Sequence, residues 1–458
     1  MGVDTMSENI SETQKSGWVE TGSETNKFSG WSVVVAAMLI VFFHMMIRGS
    51  FATLIQGMVA STGWSTGAVA AGSSIFMAMY GLFAFIVGTY IDKLGCRLTY
   101  TLHGIIMGIG LILCSYSQQP WQYWLSYGIV GIGSGAFWAP VTSMVRQWFI
   151  DKLGLAMGLT TAASGVAMFL GPIISMLIIS NLSWQFMMKV FGIVLIVGIG
   201  IAAQFTKMKP EDVGQKPLGY EAFMAKMNAG NAGSKQKQEE FYVPFKWAIR
   251  HKVFWILAAL WFCSNFAEFI VFSHAINYVS MDLGYDKITA TYIYCLIGFF
   301  FTIFAVAIGG IVDKMSKKSG DPMKARKKVL TYAYLLTAVM ALWLNYGVRL
   351  TADGGASHWA FVVYAVLFGI GFGCYIPSVA GLVGLAVGRK EMPPAWGLIT
   401  LIGMAGGAGL GPYIGGAIRD VTGSYFVSIW LSTIFYLLAC IFVNIVKQPS
   451  REEVWGTK

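Results

Sequence analysis

Gly88-Thr89-Tyr90-Ile91-Asp92-Lys93-Leu94-Gly95-Cys96-Arg97 closes one long apolar run and opens the next. A related string, Gly309-Gly310-Ile311-Val312-Asp313-Lys314, does the same 221 residues later (309 − 88). Gly63-Trp64-Ser65 and Gly284-Tyr285-Asp286 stand at that same separation, each ahead of the run that ends in the charged string. Two pairs at one offset read as an internal repeat. The second copy departs after Lys314, where Met315-Ser316-Lys317-Lys318 replaces the Gly-x-Arg ending, so its charged turn is expected to hold less firmly.

Outward from these strings the chain is apolar. Of 458 residues, 56% are hydrophobic and 12% charged, where a soluble domain carries about 25% charged residues. Runs near 31–55, 66–90, 98–117, 121–144, 155–179, 185–205, 253–280, 289–312, 328–348, 359–383, 396–418 and 424–446 are each long enough to cross a bilayer as a helix. They are spans 1 to 12. The widest polar gap, 206–252, separates six spans from six. The expected organisation is a disordered tail over 1–28, a six-helix bundle over 29–206, a linker over 207–250, a second bundle over 251–447 and a short tail over 448–458. The fold class is therefore all-α membrane protein, with twelve transmembrane helices in two pseudo-symmetric bundles.

Basic residues cluster on alternate loops. Lys93 and Arg97 follow span 2, Arg146 and Lys152 follow span 4, Lys314 to Lys328 crowd the loop after span 8, and Arg389 and Lys390 follow span 10. The excess of Lys and Arg on one side places both termini and the linker in the cytoplasm. The net charge of +10 belongs to these loops and does not call for nucleic acid. The polar first 28 residues lack the basic and apolar segments of a cleavable signal. Six scattered cysteines without CxxC spacing argue against disulfides and metal sites. No Gly-Lys-Ser/Thr loop or nucleophile–base pair stands out, so neither a cofactor nor an enzyme activity is expected.

The halves match further. Gly131, Gly133, Gly135 and Pro140 in span 4 parallel Gly369, Gly371, Gly373 and Pro377 in span 10, and Gly171-Pro172 parallels Gly411-Pro412. Within spans, such glycines permit close packing and bending of helices. Duplicated six-helix halves are the build of alternating-access carriers, whose substrate site lies between the halves near the midplane.

The Gly88–Arg97 string resembles the signature between spans 2 and 3 of the major facilitator superfamily. The resemblance implies a conformational role for Gly88, Asp92, Lys93, Gly95 and Arg97, and for Gly309, Asp313 and Lys314 in the second copy: they lock the cytoplasmic side until the halves rock. Trp148-Phe149-Ile150-Asp151-Lys152-Leu153-Gly154-Leu155-Ala156-x-Gly158 resembles the entry to span 5 in the monocarboxylate-transporter and oxalate/formate-antiporter branch. That likeness implies transport of a small organic anion, most readily a monocarboxylate, coupled to protons or to exchange for another anion, by a monomer in the cytoplasmic membrane. Gly409-Leu410-Gly411-Pro412 is similar to a motif of exporters, so a proton-driven exporter of hydrophobic compounds is the alternative.

The candidate site rests on a few polar residues. Arg48 lies deep in span 1, where a fixed charge costs roughly 2.5–3.5 kcal/mol to insert. Spans 8 and 11 offer no cation of comparable depth, so Arg48 is the leading anchor for a carboxylate, held bidentately. Glu268 occupies the equivalent turn of span 7 and is the candidate for proton coupling or gating. Two readings of Arg48 stay open: substrate contact, or a structural pairing with Glu268. His44, one turn before Arg48, and its repeat counterpart Asn265 are candidate substrate contacts, as are Tyr80, Tyr294 and Tyr375. Trp138 matches, by resemblance, an aromatic cavity position of the oxalate/formate branch. His274 is a second candidate for proton coupling.

Overall fold

The computed structural model describes residues 28–222, 224–225, 243–352, 358–388 and 392–455. Most of the N-terminal tail, the middle of the linker, and Arg389 and Lys390 lie outside the described residues. Twelve spans are present among the described residues. The first six are Gly30–Thr62, Thr66–Leu94, Cys96–Cys114, Pro120–Ser134 continued by Ala139–Trp148, Leu153–Asn181 and Trp184–Gln204. The second six are Lys252–Asn277, Lys287–Ser319, Pro322–Trp343, Trp359–Val387, Met392–Leu401 continued through a π-helical stretch by Gly409–Thr422, and Phe426–Ile445.

The repeated tripeptides are helix punctuation. Gly63 (φ 71°) and Gly284 (φ 73°) adopt the left-handed conformation that glycine reaches without a Cβ penalty. The third residue of each tripeptide then caps the next span. The Ser65 hydroxyl accepts from the Ala68 N–H at 3.1 Å, and Asp286 accepts from the Thr289 N–H at 2.9 Å. That N–H, with the Thr289 hydroxyl, holds the Asp286 carboxyl below the usual carboxylate range.

Span 4 corrects the sequence reading. It was expected to run unbroken over 121–144, but it stops at Ser134 and restarts at Ala139, and neither piece is long enough to cross a bilayer alone. Pro140 begins the second piece, where its missing N–H costs nothing. Span 10 carries the same glycine and proline pattern and stays continuous across Pro377.

The buried apolar side chains form two main clusters, one drawn almost wholly from spans 1–6 and the other from spans 7–12. The clusters meet along three seams: span 5 on span 8, span 2 on span 11, and span 1 on span 7. At Gly298 the span 5–span 8 seam leaves no room for a side chain. A Cβ on Gly298 would fall 2.8 Å from the Phe169 nitrogen and 2.9 Å from the Gly165 carbonyl oxygen.

The two ends of the molecule differ. Spans 1 and 12 put their outer ends, Gly30 and Ile445, on one face, here called the tail face. At the far face the halves are closed. The Asp420 carboxylate of span 11 accepts from the Thr66 and Gly67 N–H groups of span 2 at 3.0 and 2.7 Å, and the Gln56 amide of span 1 donates to the Ser280 hydroxyl beyond span 7. Towards the tail face, span 2 still touches span 11 at Gly81, where a Cβ would lie 3.2 Å from the Ala405 nitrogen. Beyond that level Gly88, Gly397, Gly309 and Gly310 face open space.

Candidate functional site

Arg48 projects from span 1 at the seam with span 7. Its guanidinium carbon stands 5.0 Å from the centroid of the Phe269 ring and 5.7 Å from that of Tyr80 in span 2. Phe269 is the residue 221 positions after Arg48, so the repeat's own counterpart packs against the charge. A guanidinium carries five N–H donors. Among the described residues its one hydrogen-bond partner is the Met45 sulfur at 3.6 Å, a weak acceptor on the same helix. The rings supply favourable quadrupole contact, and among the described residues no oxygen takes the remaining donors.

His44 is fully buried one turn away, consistent with i, i+4 placement on one helix face. Its ring stacks on Tyr80 at 5.7 Å and tilts against Phe137 at 5.8 Å. Neither ring nitrogen has a hydrogen-bond partner in the described structure, which is unusual for a buried polar group. Tyr80 therefore touches both His44 and Arg48.

Glu268 is satisfied differently. Tyr375 of span 10 donates its hydroxyl to Oε2 at 2.9 Å. The Tyr375 ring stacks on Tyr334 at 4.8 Å, and the Tyr334 hydroxyl bonds Ser264 at 2.6 Å, back on span 7. This closed network ties spans 7, 9 and 10 together. Among the described residues no ion pair joins Arg48 and Glu268, although their helices adjoin. The direct pair weighed from the sequence is not formed in this conformation, because each side chain turns to aromatic residues of its own surroundings.

The other candidates divide. The Asn265 amide donates to the Trp261 carbonyl at 2.7 Å and leaves its own oxygen without a partner. The Tyr294 hydroxyl donates to the Phe272 carbonyl at 3.3 Å, which turns it towards span 7's backbone. Trp138 sits partly buried at the break in span 4. His274 bonds the Pro412 carbonyl of span 11 at 2.8 Å and stacks on Tyr425 at 4.9 Å. That places it in a helix-to-helix bridge towards the far face, apart from Arg48.

Lys93, Arg97, Asp313 and Lys314 are exposed and form no ion pair among the described residues. Gly95 (φ 78°) makes the sharp turn into span 3. The side chain of Asp92 lies outside the described residues.

The sequence reading missed the closure at the far face. Asp420 has no acidic counterpart in the first half, because the span 5–span 11 offset of 240 leads to Ser180. Tyr334 and Ser264 were also missed, being ordinary residues of apolar runs until the fold brings them to Tyr375.

Comparison with known proteins agrees with this architecture. A sequence profile described as the Major Facilitator Superfamily matches residues 37–344. The chain belongs to the major facilitator superfamily. It is 24% identical over 423 residues to monocarboxylate transporter 10 of Homo sapiens, covering 88% of this chain and 75% of that one. Monocarboxylate transporter 13 of Rattus norvegicus is 23% identical over 415 residues, covering 89% and 86%. Among solved structures, the nucleoside transporter NupG superposes with a TM-score of 0.68 at 12% identity, covering 91% of this chain and all (100%) of that one. A bacterial homologue of the human lysosomal transporter Spinster, in an inward-facing and occupied conformation, superposes with a TM-score of 0.67 at 14% identity, covering 94% and 99%. These likenesses establish a multi-pass membrane transporter fold. A small-molecule substrate follows from membership of the superfamily.

Proposed function

We propose that this transporter carries a small organic anion, a monocarboxylate, across the cytoplasmic membrane by alternating access, coupled to protons or to exchange for a second anion. One observation carries the reading: a half-buried guanidinium at the seam between the halves, flanked by Tyr80 and Phe269, with no oxygen on it among the described residues. A carboxylate offers two oxygens in the plane that a guanidinium fork fits, and charge-assisted bonds are about twice as strong as neutral ones. The likeness to monocarboxylate transporters over most of the chain points the same way.

Glu268 is the complement. In this reading the substrate draws Arg48 away from its aromatic flank, and Glu268, one residue from Phe269, takes or gives the coupled proton. The bundles over 29–206 and 251–447 rock about the site. In this reading the Lys- and Arg-rich tail face is cytoplasmic, and Asp420 holds the opposite, outer face shut.

The test is uptake of labelled lactate, pyruvate, acetate and formate into proteoliposomes, with and without an inward proton gradient. Saturable flux of one of these anions is the expected result. Efflux of lipophilic dyes with no anion flux would replace the reading with that of an exporter.

A further inference from the structure

We propose that the groove between spans 9 and 12 at the tail face is a binding site for the headgroup of an anionic phospholipid. The groove encloses about 680 Å³ and is lined by Lys324, Lys328 and Lys447, with Tyr332, Asn444 and Asp321. A fourth lysine, Lys327, is already used: its ammonium donates to the Asn444 and Val446 carbonyls at 2.8 and 2.9 Å and fastens the two helices together. The Asn444 amide adds a bond to the Thr331 hydroxyl at 3.0 Å. The groove wall is therefore built and does not depend on an occupant.

The other three lysines have no ion pair among the described residues. Lys328 lies 5.9 Å from the Tyr332 ring centroid, and its ammonium has no hydrogen bond among the described residues. Asp321, the one acid in the groove, is engaged at the start of span 9, where its carboxylate accepts from the Lys324 N–H at 3.0 Å. Three exposed lysines thus line one groove with a single carboxylate, so the lining carries an excess of positive charge. A phosphodiester presents oxygens that several ammonium groups can share.

The surroundings favour a lipid over a free anion. From Lys328 an exposed stripe runs up span 9 through Tyr332, Leu335 and Val339. A matching stripe descends span 12 through Leu437, Ile441 and Ile445 to the groove. Spacings of three and four residues keep each stripe on one helix face. Acyl chains lie along these stripes while the headgroup meets the lysines, at the level where Lys stems reach from apolar surface to water.

The test uses the full chain in detergent with dioleoyl phosphatidylglycerol and dioleoyl phosphatidylcholine as competing probes, read by native mass spectrometry and by the thermal midpoint. A lysine near an anionic lipid surface contributes about fivefold in affinity, so the three together should favour phosphatidylglycerol about a hundredfold. The variant K324Q/K328Q/K447Q is expected to lose that preference while keeping its helical circular dichroism. Lys447→Glu alone lies beyond the last span and leaves helix packing untouched, so it serves if the triple variant fails to fold. It is expected to cut the preference by at least about fivefold. Equal retention of the two lipids, or an undiminished preference in the variants, overturns the proposal. Displacement of phosphatidylglycerol by excess inorganic phosphate, with no contribution from the acyl chains, would make the groove a free-anion site and also overturns it.

Discussion

Arg48 and Glu268 lie on pseudo-equivalent turns of spans 1 and 7, one residue apart in register, and their surroundings differ. The carboxylate is enclosed by Tyr375, Tyr334 and Ser264 in a network that reaches three helices. The guanidinium meets two ring faces and one thioether. Both charges are costly inside a membrane protein; among the described residues the carboxylate accepts a hydrogen bond from Tyr375, whereas the guanidinium meets no oxygen. In the proposed function the carboxylate stays in its network and the guanidinium meets the substrate. A second contrast runs along the membrane normal: the far face is held by polar contacts between halves, whereas the tail-face glycines meet nothing.

The hardest blow to the first contrast is Arg48→Lys. A point charge on a flexible stem keeps the sign but loses the planar fork. We expect carboxylate uptake to fall by about a hundredfold, a loss of roughly 3 kcal/mol. Uptake kinetics at matched expression decide it, and a fall of less than threefold would assign Arg48 to a structural role.

Gly298→Val attacks the seam that both contrasts presuppose. Its Cβ would strike backbone atoms of Phe169 and Gly165, which cannot rotate away. We expect a loss of about 2–3 kcal/mol, with a lower thermal midpoint and slower transport. An unchanged midpoint would show that the span 5–span 8 contact yields at little cost.

Asp420→Asn tests the far face. The charged cap on two N–H groups becomes a neutral one, which weakens closure by about 1–2 kcal/mol. Cysteine pairs placed across that face should then label more readily, about fivefold or more. Equal labelling would mean that packing at Gly416, and not the cap, keeps the face shut.

Tyr375→Phe is the smallest probe. It removes one hydrogen bond to Glu268, worth about 1 kcal/mol on average and somewhat more for a charged acceptor. If Glu268 exchanges the coupled proton, this variant should shift the pH dependence of uptake, and Glu268→Gln should abolish the response to a proton gradient. Retention of a full gradient response in Glu268→Gln would leave the Tyr375 network with stability alone.

Much of the fold was legible because its signals are local or repeated. A run of about 20 apolar residues can satisfy its backbone in lipid only as a helix or a closed barrel, so composition alone placed all twelve spans. Gly63-Trp64-Ser65 and Gly284-Tyr285-Asp286 carry their own turn and cap. Arg48, His44 and Glu268 stood out because charge and apolar surroundings conflict within a few residues of sequence. The break in span 4 was not legible, since span 10 carries the same glycine and proline pattern without breaking.

The remaining features were decided by tertiary structure. Asp420 acts on residues more than 350 positions away in the chain, and nothing near it in sequence marks an exposed helix start as its partner. Tyr375, Tyr334 and Ser264 become a network only when three helices meet. Whether Arg48 pairs with Glu268 depends on a few ångströms of side-chain placement. Sequence by itself determined which charges lie within the apolar spans; helix packing, within the second half around Glu268 and between halves around Arg48, decided which of them meets a hydrogen-bond partner on another helix.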